Sequence, residues 1–145
     1  MSLGQLVVFD IDGTLADISH RVHFLDNREW DAFFLACSLD EPIHEGLTAL
    51  LSFYNAGHEI ELWTGRPERV RDLTEKWLKL HAWPVRDWTL RMRRDGDRRP
   101  DTEVKPEYLE QCARRPFLIF EDRAAMVREW RKRGLTVYQV AEGDF

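Results

Sequence analysis

Short apolar runs alternate with amphipathic segments along most of the chain. The runs predict strands over residues 6–9, 58–63, 88–92, 117–120 and 135–140. Between them, apolar residues recur at helical spacing, which predicts helices over residues 43–56, 67–81, 101–112 and 124–133. Strands that alternate with helices are typical of a doubly wound α/β domain with right-handed crossovers. We therefore expect a Rossmann-like domain with a five-stranded parallel sheet in the order 3-2-1-4-5.

Residues 17–42 interrupt this alternation. They carry no strand pattern, but Trp30, Phe33 and Phe34 have helical spacing beside acidic residues, which predicts one or two short helices. Because the segment follows the first strand, we expect a small helical cap insert above the end of that strand. Packing inside the cap is the favoured role of the three aromatic side chains, and stacking on a nucleic-acid base is the alternative. The whole chain, 1–145, is expected to form one domain.

The first strand ends in an acidic turn. Its residues Leu6–Phe9 are all apolar and run directly into Asp10 and Asp12. An all-apolar strand is typical of a parallel sheet covered on both faces, and such sheets bind ligands just beyond the carboxyl ends of their strands. Two carboxylates this close repel each other unless a cation or a shared proton offsets them. A site of hard oxygen ligands favours Mg²⁺.

The fourth strand ends in a second acidic pair, Glu121 and Asp122. In the order 3-2-1-4-5 the first and fourth strands are neighbours at the point where the sheet changes direction. Four carboxylates would then meet in one crevice, which costs stability unless a metal binds there. We predict that Asp10, Asp12, Glu121 and Asp122 form the Mg²⁺ site. Asp122 is the firmer ligand, and Glu121 binds either directly or through water.

Composition and charge narrow the class of protein. Among the 145 residues, 43% are hydrophobic and 32% are charged, as in ordinary globular domains. The net charge of −5 argues against nucleic-acid binding by the whole surface but does not exclude a local basic patch. No apolar run approaches the ~18 residues of a membrane span, and no signal-peptide pattern is evident. We expect a cytoplasmic protein with no membrane contact and no obligate protein partner.

The run from Asp10 to Thr14 reads DIDGT, which matches the DxDGT motif of the haloacid dehalogenase superfamily of phosphatases. The chain resembles that superfamily, and the resemblance implies that Asp10 attacks phosphorus to give an aspartyl-phosphate. It also implies that Asp12 is the general acid and base and that its backbone carbonyl faces the metal. Asp12 would then hold its proton near neutral pH, which crowding by Asp10 and phosphate favours. The alternative is an acidic turn without chemistry.

Other positions also fit the superfamily pattern. Thr64 ends the second strand, where these phosphatases have a Ser or Thr that hydrogen-bonds the phosphoryl oxygens, and Gly65 lets the backbone approach closely. Lys105 lies near a helix start after the third strand and matches the lysine that offsets charge on the nucleophile and phosphate. Taken alone, Thr64 would be part of an ordinary turn and Lys105 a solvated helix lysine.

Within the superfamily, the chain resembles the phosphatase domain of bacteriophage polynucleotide kinase, which removes 3′-phosphates from nucleic-acid ends. The resemblance covers essentially the whole chain and includes Asp122-Arg123, Met126-Val127, Trp130-Arg131, Gly134, Gln139-Val140-Ala141 and Gly143-Asp144-Phe145. Arg21 and Arg66 fall where that family keeps functional arginines, and Asp101 lies four residues before Lys105. The resemblance implies that Arg21, Gly65, Arg66 and Asp101 bind substrate.

The expected activity is that of a Mg²⁺-dependent phosphomonoesterase acting on the 3′-phosphate of a DNA or RNA end. A stretch of the form GxxxxGK(S/T) is missing from the sequence, so kinase activity is not expected. The alternatives are a small-molecule phosphatase acting on nucleotides and a non-catalytic phosphate-binding module. Arginines within residues 91–99 could follow a nucleic-acid backbone, although the acids between them also fit a solvated loop.

Overall fold

A five-stranded parallel sheet lies at the centre of the protein. The computed structural model describes residues 4–143, so Asp144 and Phe145 of the C-terminal resemblance lie outside it. The sheet strands are β1 (Leu6–Phe9), β4 (Glu59–Pro67), β5 (Trp88–Arg93), β6 (Leu118–Glu121) and β7 (Val137–Gln139). They are arranged β5-β4-β1-β6-β7, and all pairs are parallel. The order of the core strands predicted from the sequence is thereby confirmed.

Helices cover both faces of this sheet. Alternate side chains of β1 point to opposite faces, and because all four are apolar, each face must be covered to bury them. Val7 and Phe9 pack in one apolar cluster with residues of the helices on one face, whereas Leu6 and Val8 pack in a second cluster on the other. The helices are α2 (His44–Asn55) and α3 (Arg71–His81) on the first side, and α4 (Asp101–Gln111) and α5 (Ala124–Lys132) on the second. No helix within residues 4–143 has the length and apolar character required to cross a bilayer.

Strand β4 extends beyond the predicted end of the second strand. The register between β4 and β5 shifts between Trp63 and Pro67. An irregular extension of the strand therefore includes Pro67, where the helix over residues 67–81 was expected to begin. The prediction missed the extension because Gly and Pro usually interrupt strands, and both are tolerated at bulges and strand ends. A single 3₁₀ turn, Glu68–Val70, then leads into α3.

The insert after β1 contains two strands that the sequence did not predict. Strand β2 (Ala16–Asp17) pairs antiparallel with β3 (Glu41–Pro42). Each has only two residues, which is too short for an alternating pattern to be detected. Between them lie a 3₁₀ helix (Val22–Asn27), α1 (Trp30–Leu35) and a second 3₁₀ helix (Ala36–Leu39). The prediction of short helices in this segment is therefore confirmed, and the β2–β3 pair joins its two ends.

Candidate active site

The acidic ends of β1 and β6 lie side by side, as the strand order requires. Asp10 directly follows β1, Glu121 is the last residue of β6, and Asp122 follows it. Carboxylate oxygens of the three residues lie within 4.8 Å of one another, and all three side chains are buried. The predicted meeting of the two acidic strand ends in one crevice is therefore observed.

One buried cation faces this acidic cluster. Lys105, on α4, places its Nζ atom 2.8 Å from Asp10 Oδ1 and 3.0 Å from Glu121 Oε2. Burial, reinforced by the charge of Glu121 and opposed by Lys105, raises the pKa of Asp10 to about 8. Burial and the nearby Asp10 raise the pKa of Asp122 to about 7. Lys105 alone thus leaves negative charge in the cluster uncompensated.

The donor set of the cluster fits a divalent cation. Three carboxylates within reach of one point are the hard oxygen ligands that Mg²⁺ takes up, and the raised pKa values of Asp10 and Asp122 show that additional positive charge is favourable there. Asp10, Glu121 and Asp122 would hold the ion. The side chain of Asp12 is not part of this cluster. A contribution of Asp12 to the metal site would therefore come from its backbone carbonyl, as the family resemblance implies, and this stays a prediction.

The carboxylate of Asp12 is held by two arginines. Its Oδ1 atom accepts hydrogen bonds from Arg66 Nη2 at 2.6 Å, from Arg66 Nε at 3.0 Å and from Arg21 Nη2 at 2.9 Å. Burial opposes ionisation, but the two guanidinium groups outweigh it, and the pKa of Asp12 is lowered. The expectation that Asp12 holds a proton near neutral pH is therefore wrong for the substrate-free protein. The side chain lines the crevice and remains 23% exposed.

Arg21 and Arg66 lie behind Asp12 rather than in the crevice. Both are fully buried. The guanidinium group of Arg21 also donates to Phe33 O, and that of Arg66 also donates to Thr74 Oγ1. Their assignment as residues that contact substrate is corrected, because all of these bonds point into the protein. Their contacts instead fix the position of the Asp12 carboxylate.

A further buried carboxylate, Asp40, neutralises the two arginines. It is 3% exposed and accepts hydrogen bonds from Arg21 Nε and Nη2, both at 2.8 Å, and from Arg66 Nη2 at 3.0 Å. His20 Nε2 lies 2.7 Å from its Oδ1 atom. Sequence reasoning missed Asp40. It precedes a two-residue strand and belongs to no motif, so its role becomes visible only through the tertiary contact.

The last residues of β4 are tightly packed beside the crevice. Thr64 is fully buried, and its Oγ1 atom accepts a hydrogen bond from the Arg66 backbone N–H at 3.1 Å. Gly65 lines the crevice, and a Cβ atom there would lie 2.5 Å from Asp101 Oδ1. A side chain at residue 65 would therefore displace the Asp101 carboxylate, and glycine leaves that carboxylate in its place.

Asp101 binds two arginines at the crevice. Its carboxylate accepts hydrogen bonds from Arg93 Nη2 and from Arg123 Nη1, the latter at 3.3 Å. Arg93 also donates to Gly65 O at 2.9 Å. Asp101, Arg93 and Arg123 all line the crevice. The structure thus brings Asp101 to the predicted site, where it organises basic side chains that can face a substrate.

The fold and the site define a phosphatase of the haloacid dehalogenase superfamily. Residues 4–145 match the sequence model of the family described as "Polynucleotide kinase PNKP phosphatase domain". The chain belongs to this family, as its resemblance to the phage enzyme's phosphatase domain predicts.

Solved structures show the same similarity. The chain is 27% identical to a chain of the Pnkp1/Rnl/Hen1 RNA repair complex, with a TM-score of 0.84, and the match covers 100% of this chain and 45% of that one. A second structure of the Pnkp1/Rnl/Hen1 complex gives 26% identity and a TM-score of 0.83, covering 100% and 48%. This chain thus spans less than half of the chains it matches there. A class C acid phosphatase from Bacillus anthracis, at 16% identity and a TM-score of 0.67 with 100% and 69% covered, shares the fold.

Proposed function

We propose that the protein is a Mg²⁺-dependent phosphomonoesterase that removes 3′-phosphates from nucleic-acid ends through an aspartyl-phosphate on Asp10. The observation that carries the proposal is the different surroundings of Asp10 and Asp12 at the same crevice. Asp10 lies among acids beside Lys105, whereas Asp12 is held by two arginines. One carboxylate is suited to bind a metal and attack phosphorus, and the other is suited to move protons.

In the first step a carboxylate oxygen of Asp10 forms a bond to phosphorus, and the ester bond to the nucleotide 3′-oxygen breaks. Lys105 binds Oδ1 of Asp10, so Oδ2 is the oxygen left for attack. Lys105 and the backbone at Gly65 line the crevice and are proposed to hold the phosphoryl oxygens. Thr64 is buried next to Gly65, and its hydroxyl, which accepts the Arg66 N–H, can still donate its own hydrogen and is proposed to do so to the same oxygens. A Mg²⁺ ion held by Asp10, Glu121 and Asp122 would neutralise charge on the phosphoryl group.

Asp12 is proposed to carry the protons of both steps. The negative charge of an arriving phosphate favours protonation of the neighbouring Asp12, and this proton passes to the leaving 3′-oxygen. Asp12, once more a carboxylate, then accepts a proton from the water that hydrolyses the aspartyl-phosphate. Arg21 and Arg66 keep its Oδ1 atom fixed, so they act as positioning residues. Their charge favours the ionised form that Asp12 reaches when it gives its proton to the leaving group and that the second step needs.

Two observations support a nucleic-acid end as substrate. The chain belongs to the polynucleotide kinase phosphatase family, and exposed arginines of the 93–101 loop line the crevice although the whole chain is acidic. Residues 17–42 are proposed to act as a minimal cap that leaves the crevice accessible to a strand. The cytoplasmic location, the single domain and the lack of an obligate protein partner stay predictions.

A substrate panel tests this proposal. Purified protein is supplied with Mg²⁺ and a 3′-phosphorylated oligonucleotide, the same oligonucleotide with a 5′-phosphate, or a nucleoside 3′-monophosphate. We expect the 3′-phosphorylated oligonucleotide to have the highest kcat/KM and a chelator to abolish its hydrolysis. Equal kcat/KM values for the oligonucleotide and the mononucleotide would favour the small-molecule phosphatase instead. Full activity in chelator would contradict the metal requirement.

A further inference from the structure

We propose that the indole of Trp30 is a stacking platform for a base next to the 3′ end of a single strand. This subsite rests on the proposed function, since it lies in the crevice that holds Asp10 and Asp12. Three features of the described residues support the subsite. They are the exposure of one aromatic side chain, the arginines that line the same crevice, and a residue that contacts both α1 and the loop that carries those arginines.

The first feature is the exposure of Trp30. It begins α1, and 52% of its surface is exposed, whereas Phe33 of the same helix is 6% exposed. Trp30 meets Phe33 edge to face, with ring centroids 6.3 Å apart, and lies nearly parallel to Phe34 at 6.2 Å. Phe33 therefore provides the packing expected of a cap aromatic residue, while Trp30 keeps a large apolar surface in water. A base that stacks on this surface removes it from water.

The second feature is the set of arginines that line the same crevice as Trp30. The loop between β5 and α4 contributes Arg94, Arg98 and Arg99 to the crevice, and all three are exposed. Arg99 forms an ion pair with Asp97, so Arg94 and Arg98 are the arginines of this loop best suited to bind phosphate groups. Aromatic and basic side chains in one groove are the combination that binds single strands with little sequence preference.

The third feature is Arg69, the residue that contacts both α1 and this loop. Its Nη2 atom lies 2.8 Å from Asp31 Oδ1 on α1, and its guanidinium carbon lies 5.5 Å from the centroid of the Phe34 ring. Its backbone N–H donates to Asp95 Oδ1 in the arginine-rich loop at 2.9 Å. Arg69 thus contacts both α1 and that loop, so the two elements lie next to each other at the crevice. The aromatic surface is held at the crevice, as a defined subsite requires.

If Trp30 stacks on a base, the enzyme should prefer substrates that carry a base near the 3′ end, whichever base it is. A base contributes to binding through its flat face, so every base is accepted, and a phosphate ester without a base gains nothing from Trp30. The test compares two substrates in the wild-type protein and in variants of Trp30, with a control variant. One substrate is a 3′-phosphorylated oligothymidylate of about eight nucleotides, a length typical of single-strand sites. The other carries abasic sugars at its 3′-terminal positions, so that it keeps the phosphates and loses the bases.

We expect Trp30→Ala to lower kcat/KM for the base-containing substrate roughly tenfold, mainly through KM, which is the usual size of a stacking contribution. The loss on the abasic substrate is expected to be several-fold smaller, and Trp30→Phe should recover most of the activity. Trp83→Ala is the matched control. Trp83 is 62% exposed and packs against Arg86 outside the crevice, so its removal should leave both substrates unaffected.

Two results would overturn the subsite. An equal loss on both substrates would show that Trp30 only supports the cap, and no loss on the base-containing substrate would show that it contacts no base. Wild-type protein that hydrolyses p-nitrophenyl phosphate but neither oligonucleotide would contradict the proposed function, and the subsite with it. Wild-type protein that hydrolyses both oligonucleotides equally well would refute the subsite and leave the function intact.

Discussion

The Oδ1 atom of Asp12 lies 2.6 Å from Nη2 of Arg66, a residue 54 positions further along the chain. Arg66 is fully buried, so the guanidinium group holds Asp12 from behind while the carboxylate reaches the crevice. The same Nη2 atom of Arg66 also donates to Asp40 Oδ2 at 3.0 Å, and the charge of Asp40 helps to neutralise Arg66. The candidate acid and base therefore depends on a charged network that does not itself contact the crevice.

Replacing Arg66 by Lys tests the positioning of Asp12. Lysine keeps the charge but cannot bridge Asp12 and Asp40 with a planar fork. We expect kcat to fall about 10- to 100-fold, the usual consequence of misplacing a reacting group, with a much smaller change in KM. Arg114→Lys is the control, because Arg114 forms an exposed pair with Glu59. A folded Arg66→Lys protein with the kcat of the wild type would contradict a positioning role.

Replacing Asp40 by Asn tests whether the network is also needed for stability. The change removes the charge that balances Arg21 and Arg66 inside the protein. The free energy of unfolding should fall by about 2–4 kcal/mol, since an unpaired buried charge is costly. Denaturant unfolding measures this loss, and kcat should fall as well. Glu41→Gln, at an exposed neighbouring position, serves as control. A loss no larger than that of the control would rule out the proposed balance of charges.

The acidic cluster should make the metal-free protein less stable at high pH. The pKa values of Asp10 and Asp122 are raised from 3.8 to about 8 and about 7, so the folded state binds more protons than the unfolded state between these values. Stability therefore falls as the pH rises from 3.8 to the folded-state pKa values of about 7 and about 8, and the loss is complete above them. In chelator, Asp10→Asn should increase Tm by a few degrees at pH 9 and by less at pH 6. A difference in Tm that does not depend on pH would contradict the assigned burial of charge.

Two substitutions separate the roles of Glu121 and Asp122 at the metal site. Lys105 already binds Glu121 Oε2, so Asp122 is the acid more available to an ion. Asp122→Asn should raise the Mg²⁺ concentration for half-maximal activity roughly tenfold or more, since loss of even an indirect partner costs 10- to 100-fold. Glu121→Gln should have the smaller effect. The reverse order in a Mg²⁺ titration would make Glu121 the main ligand.

The sheet and its acidic strand ends could be predicted because they depend on local patterns. All-apolar runs predict β1 and β6, and the change to carboxylates at Asp10 and Glu121 marks where each strand ends. Strand order then brings the two ends together. Lys105 could be placed at the site by the resemblance alone, and the structure confirms that it lies beside Asp10.

The network behind Asp12 could not be predicted in the same way. Arg21 and Arg66 are recognisable as functional positions, but a charge in the sequence does not show whether it faces the crevice or the core. Asp40 lies in no periodic segment, and its contacts bridge residues 19 and 26 positions away. The exposure of Trp30 could not be predicted either. Helical spacing gives Trp30 and Phe33 the same predicted environment, but of the two only Phe33 is buried.

Transfer of the substrate's phosphoryl group to the protein tests the central claim most directly. An oligonucleotide carrying a radiolabelled 3′-phosphate is mixed with excess enzyme and Mg²⁺, quenched in acid within one turnover, and the protein is digested. We predict label on the peptide that contains Asp10, with the lability to hydroxylamine of an acyl phosphate, and none in Asp10→Asn. Rapid release of free phosphate with no labelled protein at any time point would contradict a covalent intermediate on Asp10.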